Sequence, residues 1–162
     1  MAKLTNLVHA DHRYTERLID QLTADPAQVT YDDTARKHLA DYLVAAESRH
    51  ESAEELVVWP AVRKRVPGGA ALAAEGLRQE RDAKFVLDAL RFADGPSRQR
   101  LAAEFAELAR AHIVFEETDV LSALKKATVW PGLHLLGAKF AVAKRFAPTR
   151  PHPEDRTGAG AC

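Results

Sequence analysis

The sequence predicts an all-α protein: an antiparallel up-down four-helix bundle followed by a short extra helix. Three observations lead there. Apolar residues recur at spacings of three and four through four long segments, the signature of a helix with one buried face. Short Pro- or Gly-containing breaks separate those segments, and short connections make neighbouring helices antiparallel. No stretch shows the two-residue alternation of a half-buried strand, and no repeat of ~20–50 residues runs through the chain.

The first helix is expected from Lys3 to about Thr23, with Leu4, Val8, His12, Thr15, Ile19 and Leu22 on one face. Asp25-Pro26 ends it, because a proline disfavours helix at the residue before it. Thr30 is expected to cap the second helix, and Asp32 and Asp33 place negative charge in its first turn. Its inner face runs Leu39, Leu43, Ala46, His50, Ala53/Glu54 and Val57. Pro60 should kink or end it, with a short extension through Arg65 before Val66-Pro67-Gly68-Gly69. The third helix is expected over about Ala70 to Ala93, with Leu77, Ala83 and Leu87 inward. Asp94-Gly95-Pro96 is read as its stop, Gly standing at the C-terminus. Ser97 is then expected to cap a fourth helix reaching about Ala127, with Leu101, Phe105, Leu108, His112 and Phe115/Glu116 inward. These segments give a bundle over 1–127, a helical extension over 128–147 and a mobile tail over 148–162, rich in Pro, Gly and charge.

Composition narrows the function. A chain of 162 residues is one domain that can bury a core without cross-links. Lys+Arg and Asp+Glu both number 23, so no net charge draws it to nucleic acid or a membrane surface. The single cysteine, Cys162, permits no internal disulfide and no thiolate zinc site. No signal-peptide core opens the chain and no run approaches the ~20 apolar residues of a membrane span. A cytoplasmic protein is the expectation. There is no Gly-rich phosphate loop, no Ser/His/Asp arrangement and no clustered basic surface.

The chemistry sits on the inward stripes. His50 and Glu54 are four apart on the second helix, as are His112 and Glu116 on the fourth. Residues four apart lie on one face, one turn apart, so imidazole and carboxylate can reach one point. His12 is inward on the first helix, with His9 one turn earlier as the alternative if the register differs. Glu80 shares the inner face of the third. A lone inward His is ordinarily a hydrogen-bonded core residue, and a lone His/Glu pair an exposed helix pair. Two pairs with two further inward ligands are harder to read that way. Buried charge must be paired or coordinated, and cations compensate several such groups together.

The two pairs also repeat one pattern. His50-Glu51-Ser52-Ala53-Glu54-Glu55 precedes Leu56-Val57-Val58-Trp59-Pro60, and His112-Ile113-Val114-Phe115-Glu116-Glu117 precedes Thr118-Asp119-Val120-Leu121. With Asp11-His12 ahead of them, these motifs resemble the hemerythrin HHE cation-binding domain over about residues 4–125. Residues 147–153 are similar to the tails of actinobacterial members. The resemblance implies a non-haem di-iron centre, with Glu54 and Glu116 bridging two oxo- or hydroxo-bridged irons and His12, His50 and His112 as terminal ligands. It implies O₂, NO or peroxide as the small-molecule partner, or sensing of oxygen or iron.

One departure stands out. The family usually places a histidine on the third helix, and Glu80 stands there instead. Either Glu80 ligates, or the site is one ligand short and open to water; Glu80 has also the bland reading of a rim residue. Carboxylates are harder, anionic ligands than imidazole, so a Glu80-ligated iron favours the ferric state. That points to peroxide breakdown or an oxidative-stress role over simple O₂ storage, with an oxygen- or iron-sensing or storage module without catalysis as the alternative. Zinc is the alternative metal, since His and carboxylate bind it as well. Asp11, Glu47 and Asp119 are near enough to support the ligands, while His38, His134 and His152 read as surface residues. The apolar face Leu133, Leu136, Phe140 and Ala143 beside Lys139, Lys144 and Arg145 is expected to dock on the bundle rather than lie on a membrane.

Overall fold

The structure is a computed structural model that describes residues 2–25 and 32–151. Helix α1 (Leu4–Thr23) buries the stripe its spacing predicts, Leu4, Val8, His12, Thr15, Ile19 and Leu22 among it. Helix α2 (Asp33–Ala53) is capped by Asp32, whose side chain accepts from the Ala35 N–H at 2.7 Å. Thr30, the expected cap, lies outside the described residues. A single widened π-helical turn, Glu54–Val58, joins α2 to α3 (Trp59–Arg65). Gly68, in the left-handed region at φ +71°, turns the chain into α4 (Gly69–Leu90).

Two boundary expectations fail at the next junction. Helix α4 ends at Leu90, before Asp94-Gly95-Pro96, and that tripeptide opens α5 (Gly95–Phe115) instead of closing α4. Proline suits a first turn, where its missing N–H has no intrahelical partner to lose. Ser97 therefore lies inside the helix, and Asp94 takes the cap position without a side-chain bond. Buried Arg98 organises the corner: it donates to the Ala93 carbonyl at 2.9 Å and to Asp33 at 2.5 Å, tying α5 to the start of α2. A second π turn, Glu116–Val120, leads to α6 (Leu121–Lys126), and α7 (Trp130–Phe146) follows, three residues earlier than the expected Leu133.

Helices α1, α2, α4 and α5 form a closed ring of four, α1 and α4 each flanked by α2 and α5. Helices α3 and α6 continue two of the rods beyond their π turns, and α7 lies against α1, α2 and the first π turn. Its face of Leu133, Leu136 and Phe140 is buried there. No described helix is long and apolar enough to cross a membrane.

Two apolar clusters fill the ring. One gathers Leu4, Val8, Val58, Trp59, Leu121 and Phe140; the other Ile19, Leu22, Leu43, Leu87, Leu90 and Phe105. On every rod a polar residue falls between its contributions to the two: His12 on α1, His50 and Glu54 on α2 and its π turn, Glu80 on α4, His112 and Glu116 on α5 and its π turn. A charged layer thus crosses the middle of an otherwise apolar bundle.

Candidate metal centre

The two π turns begin at the glutamates of the two His-x-x-x-Glu motifs. In each, the backbone N–H five residues on closes the wide turn, Trp59 onto the Glu54 carbonyl and Leu121 onto the Glu116 carbonyl. Pro60 is not their cause: the position matching it in the second motif is Ser122, and the same turn forms there. Pro60 sits instead in the first turn of α3, where it is tolerated. Single π turns inside α-helices recur at functional sites. Here each marks the point at which a glutamate enters the core.

His12, His50, Glu54 and Glu116 offer donor atoms that all lie within 4.8 Å of one another. Glu54, Glu80 and His112 form a second such group. Glu54 belongs to both: its Oε1 is 3.1 Å from His50 Nε2 and its Oε2 is 3.9 Å from His112 Nε2. Glu116 belongs to the first group, with Oε2 3.0 Å from His12 Nε2. Glu54 and Glu116 are fully buried, Glu80 nearly so. His9, by contrast, is half-exposed and joins a separate group at the rim with Glu117 and His12, so the register that brings His12 inward is the one adopted.

The inward atoms lack hydrogen bonds. Nε2 of His12, His50 and His112 and both oxygens of Glu54 and Glu116 are buried without a partner of hydrogen-bonding geometry, although some pairs are close. Leaving one buried polar atom unsatisfied costs ~1–3 kcal/mol, so a cluster of seven demands an occupant. Lone pairs converging from three imidazoles and three carboxylates fit cations.

The outward nitrogens are all engaged. His12 Nδ1 lies 2.8 Å from Glu117 Oε1, His50 Nδ1 3.2 Å from Asp11 Oδ2, and His112 Nδ1 3.1 Å from Gln79 Oε1. Those oxygens only accept, so each Nδ1 carries a proton and Nε2 is free to ligate. Of the three expected supporting residues, Asp11 serves. Glu47 instead accepts from Thr15, and Asp119 is exposed. Glu117 and Gln79 were not foreseen, though the doubled Glu-Glu of each motif was a visible signal. The partner of Glu117 in that repeat, Glu55, takes a hydrogen bond from Lys84.

Glu80 points inward, not to water. Trp59 Nε1 donates to its Oε1, and Lys84 Nζ lies 3.5 Å from its Oε2. Burial and then the charge of Glu54 push its carboxyl well above the usual carboxylate range. Burial likewise raises Glu51, next to Glu47, and Glu116, next to Glu54. Burial opposes charge on His50 too, but Glu54 and Asp11 outweigh it and raise its pKa well above the ordinary value. Glu54 goes the other way: burial would raise it, and His50 and His112 hold it well below. Without cations, burial and mutual repulsion favour the protonated forms of Glu51, Glu80 and Glu116.

A helical bundle with a buried His/Glu centre is a cation-binding bundle, and the comparisons give its family. The model of the hemerythrin HHE cation-binding domain matches residues 3–124, so the chain belongs to that family. The crystal structure of a hemerythrin HHE cation-binding domain-containing protein from Mycobacterium kansasii superposes with a TM-score of 0.73 at 21% identity, covering 90% of this chain and 86% of that one. That likeness shows the shared fold. No curated protein matches the chain significantly.

Proposed function

We propose that the chain is a non-haem di-iron protein that reacts with a small oxygen or nitrogen species, peroxide foremost. The observation that carries this is the pair of donor groups sharing Glu54. His12, His50, Glu54 and Glu116 would hold one cation, and Glu54, Glu80 and His112 the other. The second has fewer protein donors and so has coordination positions to offer an exogenous ligand. Bound iron supplies the redox chemistry.

The surrounding residues suit a very small ligand. A cavity of about 10 Å³ adjoins the centre, lined by Thr15, Glu47, Glu51, Glu80 and the three histidines, with Ala83, Phe105, Ala109 and Ile113 as an apolar wall. This is room for about one water-sized molecule, which favours O₂, NO or H₂O₂ over any organic substrate. Burial pushes the Glu51 carboxyl well above the usual carboxylate range, and its Oε2, at the edge of that cavity, has no hydrogen-bond partner. Glu80 adds negative charge where an imidazole would add none, which lowers the potential of iron and favours electron donation to peroxide over reversible O₂ binding.

Anaerobic loading with Fe(II), followed by absorption spectra on separate addition of O₂, NO and H₂O₂, tests metal, nuclearity and reactivity together. Two irons per chain, an oxo-bridge band in the near ultraviolet and rapid H₂O₂ consumption are expected. Retention of one colourless zinc in preference to iron, or H₂O₂ turnover no faster than that of free iron, refutes the proposal.

A further inference from the structure

Helix α7 lies beyond residues 3–124, the part matched by the family model, yet it reaches the candidate metal centre at two points. The buried Phe140 ring stands edge-on to His50, centroids 5.9 Å apart. Lys144 Nζ donates to Asp11 Oδ1, while Asp11 Oδ2 faces His50 Nδ1 at 3.2 Å. An unbroken polar chain therefore runs from α7 through α1 to an inward imidazole of α2. The other two histidines have no such link: His12 leans on Glu117 and His112 on Gln79, both from the bundle's own rods.

The register of α7 on α1 makes this contact specific. Gly137 meets the start of α1 so closely that a Cβ there would stand 2.9 Å from the Leu4 nitrogen and 3.0 Å from the Lys3 carbonyl carbon. Seven residues on in both helices, two turns, Lys144 meets Asp11. The helices thus run in the same direction, and the close approach at Gly137 sets the height at which the ammonium reaches the carboxylate.

We propose that Lys144 is a positioning residue for the metal centre: through Asp11 it fixes the His50 ring, so that the cation at His12, His50, Glu54 and Glu116 is held tightly only with α7 docked. The proposal rests on the two-cation reading above. The physical reason is that Asp11 divides its two oxygens between two donors. With Oδ1 held by the ammonium, the carboxylate plane is fixed and Oδ2 stays aimed at Nδ1. Released from Lys144, a carboxylate on the bundle's surface side turns to water and leaves the imidazole free to rotate. Loss of such outer partners typically costs ~10–100-fold in metal affinity.

The test uses the full chain and three variants: Lys144→Met, Lys144→Arg and Lys139→Met, the last removing an exposed cation of the same helix. Each is loaded anaerobically with Fe(II) and challenged with a chromogenic iron chelator, and the metal-free forms are melted alongside. The Lys144 side chain is one third exposed and methionine keeps its aliphatic stem, so folding is preserved. In Lys144→Met one of the two iron equivalents should leave about tenfold faster and the other at the parental rate. Lys144→Arg and Lys139→Met should match the parent, and all metal-free melting points should agree. Both equivalents leaving Lys144→Met at the parental rate overturns the proposal, as does equal acceleration of both, which marks general loosening. A parent chain that takes up no second equivalent overturns the two-cation reading instead, and this proposal with it.

Discussion

Replacing Gly76 by alanine tests whether the packing around Trp59 supports the site. Gly76 lies in the middle of α4, one turn before Glu80, and a Cβ there would come within 2.7 Å of Trp59 Cζ2 and 2.8 Å of Cζ3. In an unobstructed helix Gly→Ala stabilises by about 1 kcal/mol. Here the added methyl must displace a rigid, fully buried indole by nearly an ångström to reach an ordinary contact. Overpacking of that kind costs about 1–3 kcal/mol. The displaced indole also loses its Nε1 bond to Glu80, and a buried donor left unpaired costs about 1–3 kcal/mol more. The overpacking and hydrogen-bond costs outweigh the gain in propensity, and a net loss of roughly 1–5 kcal/mol follows, seen as a drop of at least about 2–4 °C in melting temperature. Denaturant unfolding measures the first quantity. Trp59 emission, isolated by a Trp130→Phe background, reports the ring's surroundings. A variant as stable as its parent or more so, with unchanged emission, would refute the reasoning.

Three further outcomes follow from the same geometry. Glu54→Ala should reduce bound metal from two equivalents to at most one by elemental analysis after desalting, because both donor groups lose the carboxylate they share. Metal-free stability should fall as pH rises: Glu51, Glu80, Glu116 and His50 are all raised in the folded chain. The folded state therefore binds more protons than the unfolded one above the ordinary glutamate value of 4.5, and for His50 above 6.5. Melting metal-free and metal-loaded protein across roughly pH 5–9 checks this; a metal-free chain that gains stability over that span, or a loaded one that loses it as steeply, contradicts the account. Asp32→Ala should cost about 1 kcal/mol in denaturant unfolding, through the lost bond to the Ala35 N–H.

What was legible in the sequence and what was not divide along a physical line. The four inward stripes were legible because burial is periodic. His12, His50, Glu54, Glu80, His112 and Glu116 were legible because they interrupt those stripes at matching heights. Asp11 was legible as a neighbour of His12, although it serves His50, on another helix. Gln79 and Glu117 were harder, since a residue beside an inward ligand on its own helix faces sideways, and only the packing of two rods decides what it meets there. The helix ends around Asp94-Gly95-Pro96 are not legible locally, because proline after glycine is compatible with either a stop or a start. The tie-breaker was Arg98, whose partners Asp33 and Ala93 belong to a corner no local window contains. The π turns were invisible for a similar reason: the widening follows from where the two glutamates must go, and Pro60, the one local clue, turns out to be incidental.

The charges of the middle layer argue for two cations rather than one. Five glutamates, Glu47, Glu51, Glu54, Glu80 and Glu116, are buried there against a single buried lysine, Lys84. With the histidines neutral, as ligands must be, that leaves an excess of four negative charges, the charge that two divalent ions supply. A single divalent ion would leave half the excess to be met by protons, and burial raises Glu51, Glu80 and Glu116 in the metal-free layer. Lys84 cannot take over that role, because its ammonium is already shared among Glu51, Glu55 and Glu80. The fold thus tolerates a carboxylate layer through its apolar core because the layer is to be neutralised from outside the chain.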